Sequence, residues 1–143
     1  MFVPKAGRIL GLGIFALAFS ACSLSTPVPG SLPEHTVNDY WQDDEATNIS
    51  YFIVADKSLA EDEARSIIEH YQNEEEGYKL INIWIFCDPT YAEQRYLNEA
   101  LATDEKFYSY VMYRYQAGEW STEGTVFQSK ADKAHPAFGS ACQ

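Results

Sequence analysis

The chain has 143 residues; Lys and Arg supply 10 of them and Asp and Glu 21, so the net charge is −11 at neutral pH. A surface this acidic repels nucleic-acid phosphates and anionic lipid headgroups, which argues against a nucleic-acid partner and steers cations or basic proteins toward it. Solubility alone explains the same acidity without naming any partner.

From the N-terminus, residues 1–8 carry Lys5 and Arg8, residues 9–19 are uncharged and apolar, and Ser20 and Ala21 are small. That order reads as an export signal. Its apolar zone covers about 16 Å as a helix, roughly half a bilayer core, which is too short for a stable span. The run Phe19-Ser20-Ala21-Cys22 resembles the lipobox of bacterial lipoproteins, with Phe19 where Leu is usual. The resemblance covers the signal segment and implies cleavage before Cys22, a diacylglyceryl thioether on its sulfur and placement in the cell envelope. Two or three acyl chains make such attachment effectively permanent. Ser23 is not the Asp that resembles an inner-membrane retention signal, which implies the outer membrane, facing the periplasm, in a host with two membranes.

Cleavage before Cys22 leaves 122 residues, and because Lys5 and Arg8 depart with no acidic residue, the charge becomes −13. Residues 22–36 follow as the lipidated cysteine and a tether, with Pro27, Pro29 and Pro33 set among Ser, Thr and Gly. Such a composition cannot bury a core and stays extended, reaching about 43 Å at the polyproline rise. Residues 37–143 then form one domain by length and apolar content.

Within the domain, residues 49–55 (ISYFIVA) predict a strand, and Ser58 with Glu61 matches a capping box opening a helix. In that helix Ala60, Ala64, Ile67, Ile68 and Tyr71 share one face, and the acidic run Glu74 to Glu76 stops it before Gly77. Residues 78–87 (YKLINIWIFC) predict a central strand, with Ile81, Ile83 and Ile85 on one face and Leu80, Trp84 and Phe86 on the other. Asp88-Pro89 opens a second helix of about three turns carrying Ala92, Tyr96, Leu97, Ala100 and Leu101. Residues 106–116 (KFYSYVMYRYQ) predict a third strand, and a turn at Ala117-Gly118 leads to a shorter fourth near Trp120 or residues 125–127. The fold class is α/β or α+β: a small two-layer sandwich of three to four strands with two helices packed on one face, with a ferredoxin-like split arrangement as the rival.

With Cys22 assigned to lipid, Cys87 and Cys142 remain as an even pair in an oxidising compartment, and a disulfide between them is expected. The competing reading is a buried, inert Cys87 beside a frayed tail.

The sequence lacks a nucleophile elbow, a phosphate-binding glycine loop, a His-Glu-x-x-His motif and a CxxC. His35 falls in the tether, His70 on a polar helix side and His135 before Pro136, each read as a surface histidine. No cofactor is implied, and the chain reads as a non-catalytic module that recognises an envelope protein. Two alternatives stay open. Asp56 and Asp88 each end a predicted strand, so a parallel pairing brings them to one edge where, with Glu93, they would share a cation or small ligand, although cap chemistry accounts for both. An envelope hydrolase working through paired carboxylates is the other. For a protein or sugar partner, Tyr78, Trp84, Tyr108 and Tyr110 are the candidate contacts, on a sheet face that Trp41, Trp120 and Phe127 would otherwise cover.

Overall fold

The computed structural model describes residues 30–100, 105–130 and 137–143. The signal segment, Cys22, most of the tether, Leu101 and His135 lie outside the described residues. Five strands form one mixed sheet in the order β1-β2-β3-β4-β5. The run of β-branched and aromatic residues at Asn48–Ala55 forms β2, and Leu80–Phe86 forms β3. These two pair in parallel, from Asn48↔Leu80 to Val54↔Phe86. The connection between them contains α1, Glu61–Glu74, whose Ala64, Ile67 and Ile68 bury against Ile49, Ile53, Ile81, Ile83 and Ile85. Each such Ile contributes about 1.5–3 kcal/mol by leaving water, so this face is the main core.

The strand β1, His35–Gln42, pairs antiparallel with β2. It begins inside the stretch read as tether, so His35 and Thr36 belong to the folded domain. On the other side β4, Val111–Ala117, pairs antiparallel with β3, and β5, Val126–Ser129, with β4.

The expected two-layer arrangement does not hold. The connection from β3 to β4 contains a 3-10 turn at Pro89–Tyr91, α2 at Gln94–Ala100 and α3 at Glu105–Ser109, and it lies on the sheet face opposite α1. There Ala92, Leu97 and Phe107, with Phe138 from the C-terminal tail, cover Phe52, Trp84 and Phe86. The physical reason is topological. A parallel β2–β3 pair requires a crossover with a fixed hand, whereas adjacent antiparallel strands leave their connection free to choose a side. The second apolar stripe of β3 makes that choice, giving three layers with the sheet in the middle.

Local chemistry shifts two further boundaries. Asp56 Oδ1 accepts hydrogen bonds from both the amide and the hydroxyl of Ser58, so Ser58 is spent on a turn and α1 starts later. Glu63 then accepts from the Ala60 amide at 2.9 Å, three residues back, where Glu61 was expected to do so from Ser58. The third strand begins at Val111 because residues 105–109 are helical, with the Tyr110 amide closing a turn onto the Phe107 carbonyl at 3.3 Å.

The Cys87–Cys142 disulfide is formed, spanning 55 residues. It pins a tail whose Gly139 and Ala141 amides donate to the Tyr108 and Ser109 carbonyls at 3.1 and 2.9 Å. Among the described residues no helix is long and apolar enough to cross a membrane.

Candidate functional site

Asp56 and Asp88 occupy matching places, each two residues beyond the paired Val54 and Phe86. The parallel register thus delivers both to one sheet edge. Each carboxylate, however, closes its own turn: Asp56 accepts from Ser58, and Asp88 accepts from the Thr90 amide at 2.8 Å and from the Thr90 hydroxyl. These bonds hold both carboxyls below the usual range. Glu93 pairs with Arg95 at 2.7 Å. Among the described residues no group of three or more His, Cys, Asp or Glu is arranged to hold a metal ion. Geometry therefore gives these three residues cap and pairing roles, as turn chemistry alone would.

The aromatic candidates divide between the two faces. Trp84 is 4% exposed and meets Phe107 edge-on at 5.4 Å and Tyr108 at 6.3 Å. Tyr110 stacks on Tyr91 at 5.3 Å. Tyr78 sits on the α1 face, where its hydroxyl accepts from Gln72. The four do not share one platform. Of the residues expected to cover Trp84, Phe127 lies on the α1 face under the Arg65 guanidinium, and Trp120 is 52% exposed. Trp41 does lie on the second face, directly paired with Ser50.

A different constellation forms where β1, β2 and the end of α1 meet. Tyr40 and Tyr51 are cross-strand partners, with ring centroids 4.8 Å apart, and Tyr71 of α1 lies 4.6 Å beyond Tyr51. The Tyr51 hydroxyl donates to Oε1 of Glu75, the residue that terminates α1, while the single Tyr40 hydroxyl hydrogen is shared between Gln42 Oε1 at 2.8 Å and Glu75 Oε1 at 3.3 Å. Burial, followed by the Glu75 carboxylate, pushes both phenols above their ordinary range. Tyr71 bonds to Nε2 of His35 at 2.9 Å, and Nδ1 of His35 donates to the Pro33 carbonyl at 2.7 Å. A carbonyl only accepts, so the hydrogen is on Nδ1 and, in the neutral ring, Nε2 accepts from Tyr71. His35 is thereby a structural member of the edge.

Glu75 combines a charge-assisted bond from the Tyr51 phenol with the neighbouring ring of Tyr40, which is 39% exposed. Glu74 and Glu76 flank it. The arrangement suits a guanidinium or ammonium group, which can lie against a tyrosine ring and meet the carboxylate. No motif marks this site, since its members lie far apart in the chain. The one sequence signal was the acidic run at the helix end, where the dipole makes carboxylates unfavourable unless they serve another purpose.

No family model, curated protein or solved structure matches the chain.

Proposed function

We propose that the chain is a lipid-tethered, non-catalytic protein of the bacterial cell envelope that recognises a basic protein partner through the edge built from Tyr40, Tyr51, Tyr71 and Glu75. The single observation that carries the recognition part is the carboxylate of Glu75, held by the Tyr51 phenol beside the exposed ring of Tyr40. The chain's net charge of −11 adds long-range attraction for a basic partner. The lipobox-like run ending at Cys22 supports the anchor, and the Cys87–Cys142 disulfide fits an oxidising compartment. In a host with two membranes the domain would hang from the outer membrane into the periplasm on its proline-rich tether.

Two measurements test this reading. A mass spectrum of the mature N-terminus should show an acylated Cys22, and Cys22→Ser should release the protein into the aqueous phase. A photocrosslinking residue at Val37 should capture a partner in intact cells that Glu75→Gln fails to retain, and in a binding assay with that partner the difference between wild type and Glu75→Gln should narrow as salt rises. An unmodified N-terminus would sink the anchor; equal capture by wild type and Glu75→Gln would sink the recognition edge.

A further inference from the structure

A groove of about 110 Å³ lies between α1 and the strands β4 and β5, on the opposite flank of the helix from the Tyr51 and Tyr71 rings. Pockets for drug-sized ligands start at about 300 Å³, so this one has room for a single side chain. Ile68 and the rings of Tyr115 and Phe127, paired neighbours across β4 and β5, supply its apolar wall. Gln72, Glu69 and Arg65 supply the polar one. The Phe127 ring already carries a cation, the Arg65 guanidinium 3.7 Å from its centre. Arg65 has a carboxylate one helical turn away in each direction, and it takes Glu61, through Nε at 3.1 Å and Nη2 at 2.8 Å. In a helix the acidic residue on the N-terminal side of a basic one is the better-placed partner. Glu69 is left over: among the described residues its carboxylate makes no hydrogen bond or ion pair.

We infer that this groove takes one lysine side chain of a protein partner, with the aliphatic stem against Ile68 and the two rings and the ammonium at Glu69. The inference rests on the reading above that the partner is basic, and it adds a second contact across α1 from Glu75. The pair of Glu61 with Arg65 is neutral, so the charge left at the groove is that of Glu69, and a cation answers it. An acidic side chain would face both Glu69 and the net charge of −11. An apolar one would strip water from the carboxylate and return nothing. Lysine fits better than arginine because its ammonium is a compact charge on a slender stem, whereas a guanidinium plane seeks a ring face, and that of Phe127 is taken by Arg65. The probe is N-acetyl-lysine methylamide, titrated into the protein while the ring resonances of Tyr115 and Phe127 are followed. They should shift saturably at tens of millimolar, and the norleucine counterpart, which has the stem without the ammonium, should leave them in place. Glu69→Gln should weaken binding about threefold, as loss of an exposed ion pair does. Glu61→Gln lies outside the groove, yet it frees Arg65 to turn to Glu69 and should weaken binding as much; Asp62→Asn removes the same charge beside it and should not. Absence of a saturable shift overturns the inference, as do equal shifts from the norleucine probe or equal binding by Glu61→Gln and Asp62→Asn. The Glu75 edge is tested separately, against the captured partner, so either contact can fail alone.

Discussion

The phenol of Tyr51, in the middle of β2, donates to the carboxylate of Glu75, the residue that ends α1. A helix whose last turn holds no basic residue is thereby fastened to the sheet by the acidic group its dipole disfavours. Tyr51→Phe keeps the ring packing and removes the donor. It should cost about 1.5–3 kcal/mol in chemical denaturation, as hydrogen bonds to charged groups do. An unchanged midpoint would show that the pair contributes nothing.

Alkali should act on the same cluster. Burial raises the phenols of Tyr51, Tyr40 and Tyr71, with Glu75 adding at the first two and Glu74 at the third. A group whose folded pKa is raised stabilises fully below its unfolded pKa, about 10 for tyrosine, and that contribution is lost as pH climbs beyond it. Stability should therefore fall above pH 10, with phenolate absorbance rising in step with unfolding. Early phenolate absorbance in a still-folded protein would contradict this. At the acid end the sign reverses: Asp56 and Asp88, held low by Ser58 and Thr90, stabilise above about pH 4 and lose that effect on acidification.

Reducing the Cys87–Cys142 bond should lower stability by about 4 kcal/mol, the chain-entropy value for its 55-residue loop. The paired Cys87→Ala, Cys142→Ala variant, measured without reductant, should match the reduced wild type. A loss well under 1 kcal/mol would mean that the tail is held by its backbone hydrogen bonds alone.

Gly118 follows β4 with φ +122°, and a Cβ there would stand 2.3 Å from the Lys79 carbonyl oxygen. The obstacle is backbone at the entry to β3, so relaxation must move the sheet. Gly118→Ala should destabilise by about 1–3 kcal/mol. Gly124, with φ +76° but open space around its Cβ position, carries only the conformational penalty and should lose less on the same change.

The amide of Gln94 at the start of α2 donates to Oδ2 of Asp39 in β1 at 2.9 Å, a cap supplied across 55 residues of chain. Asp39→Ala should cost about 1 kcal/mol and speed amide exchange in residues 94–97. Unaltered exchange there would show that α2 does not depend on β1.

Much of the centre was legible. The apolar run of β3, the β-branched run of β2, the stripe of α1 and the cysteine pair each carry one strong local signal, and the parallel pairing of β2 with β3 follows from the helix between them. The strand β1 was not legible, because its bulge between Val37 and Asp39 breaks the alternation of HTVNDYWQ and its exposed edge needs few apolar residues. Residues 106–109 read as strand because Phe107 and Tyr108 suit either structure, and packing on Trp84 decided the matter. The side taken by α2 and α3 is not a local property. Only the two-faced apolarity of β3, with Trp84 and Phe86 opposite its isoleucines, hinted that a cover was needed. The Tyr40, Tyr51, Tyr71 and Glu75 edge depends on tertiary contact among three elements and has no one-dimensional signature.

If the domain is drawn on from its N-terminal side, as the proposed anchor and partner would do, the topology decides where it yields. Tension arriving through the residues before His35 meets the sheet at the rung joining His35 to Ala55, on the outermost strand. Everything from Cys87 to Cys142, which includes α2, α3, β4 and β5, is a covalently closed ring that cannot lengthen however hard it is drawn. Stretching in a force spectrometer should therefore peel β1 first and show a contour length short by the closed segment, restored when reductant is added.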